Sequence, residues 1–191
     1  FRESLNISDD DVVHDLELND NKLWLGCKEG LGLLDLNTLT PTFLKNGNHG
    51  ITDMPEAPCR RVYCDSKGKV WLGFEGAGLS IMSIDTISQQ LQFTFKNYKN
   101  NNKTKSISKN TVLSILEGEQ GVFWIGTYGG GLNKFDTKTG EFKYYTEDDG
   151  LSNSSIYGIL SDEKGSLWIS TNFGISVFDL DENEFKIFTE S

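Results

Sequence analysis

Short apolar runs alternate with polar turns along the whole chain, and the same succession is written four times. The clearest copies are GLNKFD ending at Asp136 with EFKYY at 141–145, and GISVFD ending at Asp179 with EFKIF at 184–188. Alternation with period two predicts strands, since successive side chains in a strand point to opposite faces. The earlier counterparts are GLGLLD to Asp35 followed by PTFL, and GLSIMSID to Asp85 followed by LQFTF. Ahead of each stands a tryptophan phrase: WLG at 24–26, WLG at 71–73, WIG at 124–126 and WIS at 168–170. A turn precedes three of them, in DSKGKVW, EQGVFW and DEKGSLW, with Gly68, Gly121 and Gly165 each three residues before the Trp. Asn21 holds that place in the first copy and is the residue expected to take the left-handed backbone there.

A further apolar pair precedes each turn. Val112 and Ile115 stand twelve and nine residues before Trp124, Ile156 and Ile159 before Trp168, and Cys59 and Val62 before Trp71. In the shorter first copy Val13 and Leu16 stand at eleven and eight. Each copy of roughly 47 residues thus predicts four short strands, the mark of a propeller blade. The expected fold is all-β, a β-propeller of four-stranded antiparallel blades with four blades present, near 1–46, 47–99, 100–146 and 147–191. Such a blade is apolar on both faces and can bury them only against the next blade. Trp24, Trp71, Trp124 and Trp168 are therefore framework, and Gly26, Gly73 and Gly126, two residues on, leave room for a neighbouring blade. FRES at 1–4 resembles FTES at 188–191, so the chain begins and ends in the same phase, as part of a larger propeller would.

Composition sharpens this. With 37% hydrophobic and 12% aromatic residues the chain is globular, and 20 glycines against 3 prolines suit many strands joined by tight turns. Eighteen basic against 28 acidic residues give a net charge of −10, which disfavours nucleic acid. Three cysteines, Cys27, Cys59 and Cys64, fit no metal or redox spacing and read as small buried hydrophobes. Two histidines, His14 and His49, are too few for a zinc site. Neither Asp148-Asp149 nor Asp9–Asp11 has a calcium-loop spacing, so no metal or cofactor is expected.

The segment GLSNSSIYGILSDEKGSLWIST at 150–171 and the phrase GVFWIGTYGGGL ending at Leu132 resemble the two-component regulator propeller repeat. The shared pattern is a Leu-Ser pair, V-x-x-I, then D-x-x-G-x-hydrophobic-Trp-Ile-Gly-Thr and a Gly-Gly-hydrophobic turn. The first two copies follow it more loosely: Cys27 and Phe74 replace the Thr found at 127 and 171, and Glu56-Ala57-Pro58 interrupts the approach to a strand. The resemblance implies the sensor region of a bacterial hybrid two-component histidine kinase, exposed on the periplasmic or extracellular face of the inner membrane. It further implies a small glycan or other extracellular ligand, the rest of the sensor chain and a homodimer of the full-length protein as partners.

Within a blade, the connections after the second and fourth strands leave one face, and the other turns leave the opposite face. The connections after the fourth strands are long and dissimilar: KNGNHGITDMPEAP, NYKNNNKTKSISKN and TEDDGLSNSS. Variable loops on a rigid scaffold are where recognition concentrates. On the same face the second-strand turns carry Lys28, Glu29, Phe74, Glu75, Tyr128, Asn172 and Phe173, whose aromatic, amide and charged groups suit a sugar or short peptide. A protein-interaction scaffold and a propeller lyase are the alternatives. The lyase would need a general base such as His14, yet no nucleophile elbow or phosphate loop accompanies it, and no catalytic residue is assigned. The 96–110 loop is expected to tolerate deletion far better than 112–135 does.

Overall fold

The recurring pattern folds into four separate antiparallel sheets, each of four strands hydrogen-bonded in sequence order. The computed structural model describes residues 12–87, 90–101, 105–162 and 164–188. The FRES segment, the Asp9–Asp11 run and the closing residues 189–191 lie outside the described residues. Blade 1 comprises β1 (Val13–Asn19), β2 (Lys22–Cys27), β3 (Leu31–Asp35) and β4 (Thr40–Leu44). Blade 2 comprises β5 (Cys59–Cys64), β6 (Val70–Phe74), β7 (Gly78–Ile87) and β8 (Gln90–Tyr98). Blade 3 comprises β9 (Val112–Glu117), β10 (Val122–Thr127), β11 (Leu132–Asp136) and β12 (Glu141–Tyr145). Blade 4 comprises β13 (Ile156–Ser161), β14 (Ser166–Thr171), β15 (Gly174–Asp179) and β16 (Glu184–Phe188). The chain divides into two compact units, 1–98 and 99–191, each holding two blades.

In the first unit β5 lies against β1 and β2, and in the second β13 lies against β9 and β10. Trp24 and Trp124 sit in these two interfaces, 1% and 3% exposed. Trp24 belongs to a core with Cys59, Val62, Val70 and Leu72 of the next blade. Trp124 meets Phe178 edge-on at 5.9 Å between ring centres, with Tyr145 beside both. Gly26 and Gly126, two residues on, leave room for the neighbouring blade. A Cβ on Gly26 would stand 2.9 Å from the Cys59 carbonyl oxygen, and one on Gly126 would stand 2.5 Å from Ile156 Cγ2. Polar contacts also join the first pair of blades: the Val62 and Cys64 amides donate to Asp15 Oδ2 and Glu17 Oε1 at 2.8 and 3.1 Å.

The apolar pairs three residues apart need explanation, because residues i and i+3 of a regular strand face opposite ways. Every first strand carries a register shift between the members of its pair: between Val13 and Asp15, Cys59 and Arg61, Val112 and Ser114, and Ile156 and Gly158. The β-bulge adds one residue and returns the second member to the buried face. Cys59 with Val62, Val112 with Ile115, and Ile156 with Ile159 are accordingly buried.

Several expectations are corrected. Val13 and Leu16 are exposed, since no other blade of their unit covers that face of blade 1. Trp168 is 42% exposed for the same reason on blade 4, where Ser170 replaces the glycine and is itself exposed. In the first turn the left-handed residue is Asp20 (φ 51°) and not Asn21, because that turn is one residue shorter; Gly68, Gly121 and Gly165 have the positive φ expected. The 96–110 segment is not all loop: Lys96–Tyr98 belong to β8, and Ser106 and Ile107 are buried. The three cysteines are free thiols, Cys27 and Cys59 buried and Cys64 partly so. Burial pushes the Cys59 and Cys64 thiols well above the ordinary thiol range.

Candidate functional site

The turns after the second strands are stitched to the connections that lead into the first strands. The Lys28 amide donates to the Val12 carbonyl at 3.0 Å, Glu75 to Pro58 at 2.9 Å and Tyr128 to Thr111 at 2.9 Å. These turns and connections therefore form one face of each blade. In the second unit the fastening is fuller. The Ser108 hydroxyl lies 3.2 Å from Thr127 Oγ1 while its amide donates to Asn133 Oδ1 at 2.9 Å. Ser152 repeats this with Thr171 Oγ1 at 2.9 Å and Ser176 Oγ at 3.0 Å. The preceding residues, Ile107 and Leu151, are buried as pegs beneath. The Leu-Ser and terminal Thr of the sequence pattern are thus two halves of one clamp. In the first unit Ile51 supplies the buried peg, and Asn97 spans from Ser80 Oγ to the Asp53 carbonyl at 2.6 and 2.7 Å.

The first unit has a cleft of about 390 Å³ on this face, lined by Lys28, Glu29, Lys45, Asn46 and the stretch Met54–Pro58, apolar but for Glu56. One wall is the β2–β3 turn and the other the β4–β5 connection. Asn46 shapes the second wall, donating to the Met54 carbonyl at 2.7 Å and accepting the Met54 amide at 3.1 Å. The lining combines ammonium and carboxylate groups with apolar side chains.

Beside the turns, the bulged residues contribute side chains that spacing alone did not single out. Arg60 forms an ion pair with Glu75, and its Nη1 lies 3.2 Å from His14 Nδ1 of the adjacent blade. Tyr157 donates its hydroxyl to Asn172 Oδ1 at 3.0 Å. Arg60 and Tyr157 each sit at the bulge of their strand, where the extra residue turns a side chain toward the second-strand turn. The bulge was signalled by the V-x-x-I spacing, but which side chain it aims at the turn was not.

Of the residues expected on this face, Lys28 and Glu29 share the cleft. Glu75, Asn172, Tyr128 and Phe173 are exposed, the two aromatics by 56% and 64%. Phe74 is a correction: it is fully buried in the core of the first unit, because β6 places its ring on the face that packs against the interior. Among the described residues no group of three or more His, Cys, Asp and Glu is placed to hold a metal ion, and no helix is long and apolar enough to cross a membrane.

Four-stranded meanders with a blade-packing Trp and a following Gly define this protein as a β-propeller. Residues 106–129 and 150–173 match the family model described as two component regulator propeller. Both contain the Ser–Thr clamp. No curated protein matches the chain at a significant level. Among solved structures it is similar to the extracellular domain of a B. thetaiotaomicron protein named as a hybrid two component system, BT3049. Identity there is 21% and the TM-score 0.78, over 96% of this chain and 25% of that one. A second B. thetaiotaomicron extracellular domain, named as the one component system BT4673, matches at 21% identity and TM-score 0.73 over 98% and 26%. The computationally designed Ika4 protein matches at 12% identity and TM-score 0.58 over 96% and 94%. The chain spans about a quarter of the length of the two bacterial domains.

Proposed function

We propose that this chain is the ligand-reading part of a bacterial two-component sensor and that it binds a small glycan at the face of the stitched turns. The cleft of about 390 Å³ between Lys28–Glu29 and Lys45–Pro58 carries the reading. It is large enough for a short oligosaccharide, offers amide, ammonium and carboxylate groups to hydroxyls, and has apolar lining residues for C–H faces. Its walls are irregular segments held by a rigid blade pair, the arrangement in which binding residues are usually found. The family of the two repeats and the bacterial extracellular domains of like fold support placing it outside the cytoplasm. On this reading the rest of the sensor chain, a membrane anchor, a cytoplasmic kinase and a homodimer of the full-length protein complete the system.

The test is a thermal-shift and calorimetry screen of neutral and acidic oligosaccharides against the wild type and a Lys28→Ala/Glu56→Ala double variant. Ligand at about 100 times its Kd stabilises the wild type by about 2.7 kcal/mol. The double variant should lose most of that shift while melting like the wild type when free. Protein partners captured with no glycan response in either form would place the chain with interaction scaffolds instead.

A further inference from the structure

Blade 4 presents to solvent the face that blade 3 buries. On blade 3 that face is made by Leu116, Trp124, Leu132 and Tyr145, packed in one core with Ile156, Ile159 and Phe178 of blade 4. The sheet register puts Leu160, Trp168, Ile175 and Phe188 at the same places on blade 4. There they are 71%, 42%, 42% and 55% exposed. The first three line a groove of about 380 Å³ together with Gly158 and Ser170. The gap that receives a neighbouring blade is kept as well. On blade 3 it lies at Gly126, opposite Ser114, and a Cβ on Gly126 would stand 2.5 Å from the Ile156 methyl that fills it. On blade 4 the two residue types are exchanged across the strand pair, with Ser170 opposite Gly158. The gap is thus moved by one strand spacing, about 4.8 Å, and not lost.

What fits such a face is a first strand with its bulged apolar pair, as Ile156 and Ile159 fit blade 3. Of the four pairs that the repeat supplies, Cys59 with Val62, Val112 with Ile115 and Ile156 with Ile159 are buried. The fourth, Val13 with Leu16, is exposed, and Leu18 extends the same apolar row. We propose that the exposed first strand of one copy of this chain docks on the exposed Trp168 face of another, continuing the blade-to-blade interface between molecules. The two surfaces differ and each molecule carries one of each, so the contact is head to tail. It is weaker than the interface between blades 1 and 2, where Asp15 and Glu17 accept amides of the following blade. The blade 4 residues at those places are Gly158 and Leu160, whose side chains have no acceptor. Two short apolar rows without such bonds fit a Kd on the order of 10–100 µM. Being apolar, the contact tightens as salt screens the net charge of −10 on each copy. It does not involve the Lys28–Pro58 cleft.

Sedimentation velocity of the 191-residue chain tests this. The average mass should rise to that of two copies or more as concentration goes from about 5 to about 500 µM. Leu16→Glu and Leu160→Glu change side chains that are already exposed, so both variants should fold, and each alone should stay monomeric over the same range. Mixed in equal amounts they should form a one-to-one pair, since each keeps the face that the other has lost. A symmetric contact of like faces would instead leave one variant associating by itself and the mixture without recovery. A second reading needs no variant: in ¹⁵N-correlated spectra of the wild type, the Trp168 indole resonance should shift with concentration while those of Trp24 and Trp124 stay in place. A wild type that remains monomeric, a variant that associates as the wild type does, a mixture that does not pair, or an unmoved Trp168 resonance would overturn the proposal.

Discussion

Trp124 and Trp168 open corresponding phrases of their copies, but the structure assigns them unequal weight, and truncation should expose the difference. Trp124 is 3% exposed between blades 3 and 4, packed on Phe178 and Tyr145 with the Lys134 ammonium over its ring at 5.4 Å. Burying roughly 200 Å² of indole at about 25 cal/mol per Å² is worth about 5 kcal/mol, and core aromatics cut to Ala cost about 3–5 kcal/mol. Trp168 is 42% exposed, stacked on Phe188 with its N–H on an exposed carboxylate. Its transfer term is proportionally smaller, and water fills the space left by truncation, so no cavity term is added. Trp124→Ala should therefore cost about 4 kcal/mol and Trp168→Ala about 2 kcal/mol. Both residues lie in the unit 99–191, so one urea transition followed by circular dichroism reports both, with midpoints compared at constant m-value. Costs within about 1 kcal/mol of each other would refute the claim that blade-to-blade burial, and not the repeat itself, gives these tryptophans their energy.

Three further outcomes are expected. Gly126→Ala should cost about 2–3 kcal/mol, because the new methyl meets Ile156 of the next blade, whereas Ser170→Gly should cost under about 1 kcal/mol in the same melts. Ser152→Ala removes a hydroxyl shared with Thr171 and Ser176 and should cost about 1 kcal/mol, with faster amide exchange confined to residues near 146–155. Burial raises the Cys64 thiol from 9.0 to about 11. The folded state then holds this proton to higher pH than the unfolded chain does. Its contribution is complete below pH 9.0 and is lost as pH rises toward about 11, so Cys64→Ser should flatten the decline of the urea midpoint over that range.

Much of this was legible in the sequence because a blade is a local object. Strand alternation, the Gly three residues before Trp71, Trp124 and Trp168 and the Gly two residues after Trp24, Trp71 and Trp124 follow from backbone and side-chain geometry within about 47 residues. Even the bulge was written, in apolar pairs spaced by three where a regular strand would use two or four. The Leu-Ser and Thr of the two matched repeats were visible as letters, although their hydrogen bonds were not.

What needed the tertiary structure was which copy lies against which surface. Trp124 and Trp168 stand at the same place in their copies, and the placement of blade 4 against blade 3 buries one and leaves the other open. Phe74 stood at a turn and read as a binding aromatic, yet its ring faces inward, because one residue of register decides the side of a sheet. Arg60 meets Glu75 and His14 only after a bulge redirects it and a second blade arrives. The deletion of one turn residue before Trp24 was likewise plain in the chain. That it moves the left-handed backbone to Asp20 could be seen only in three dimensions.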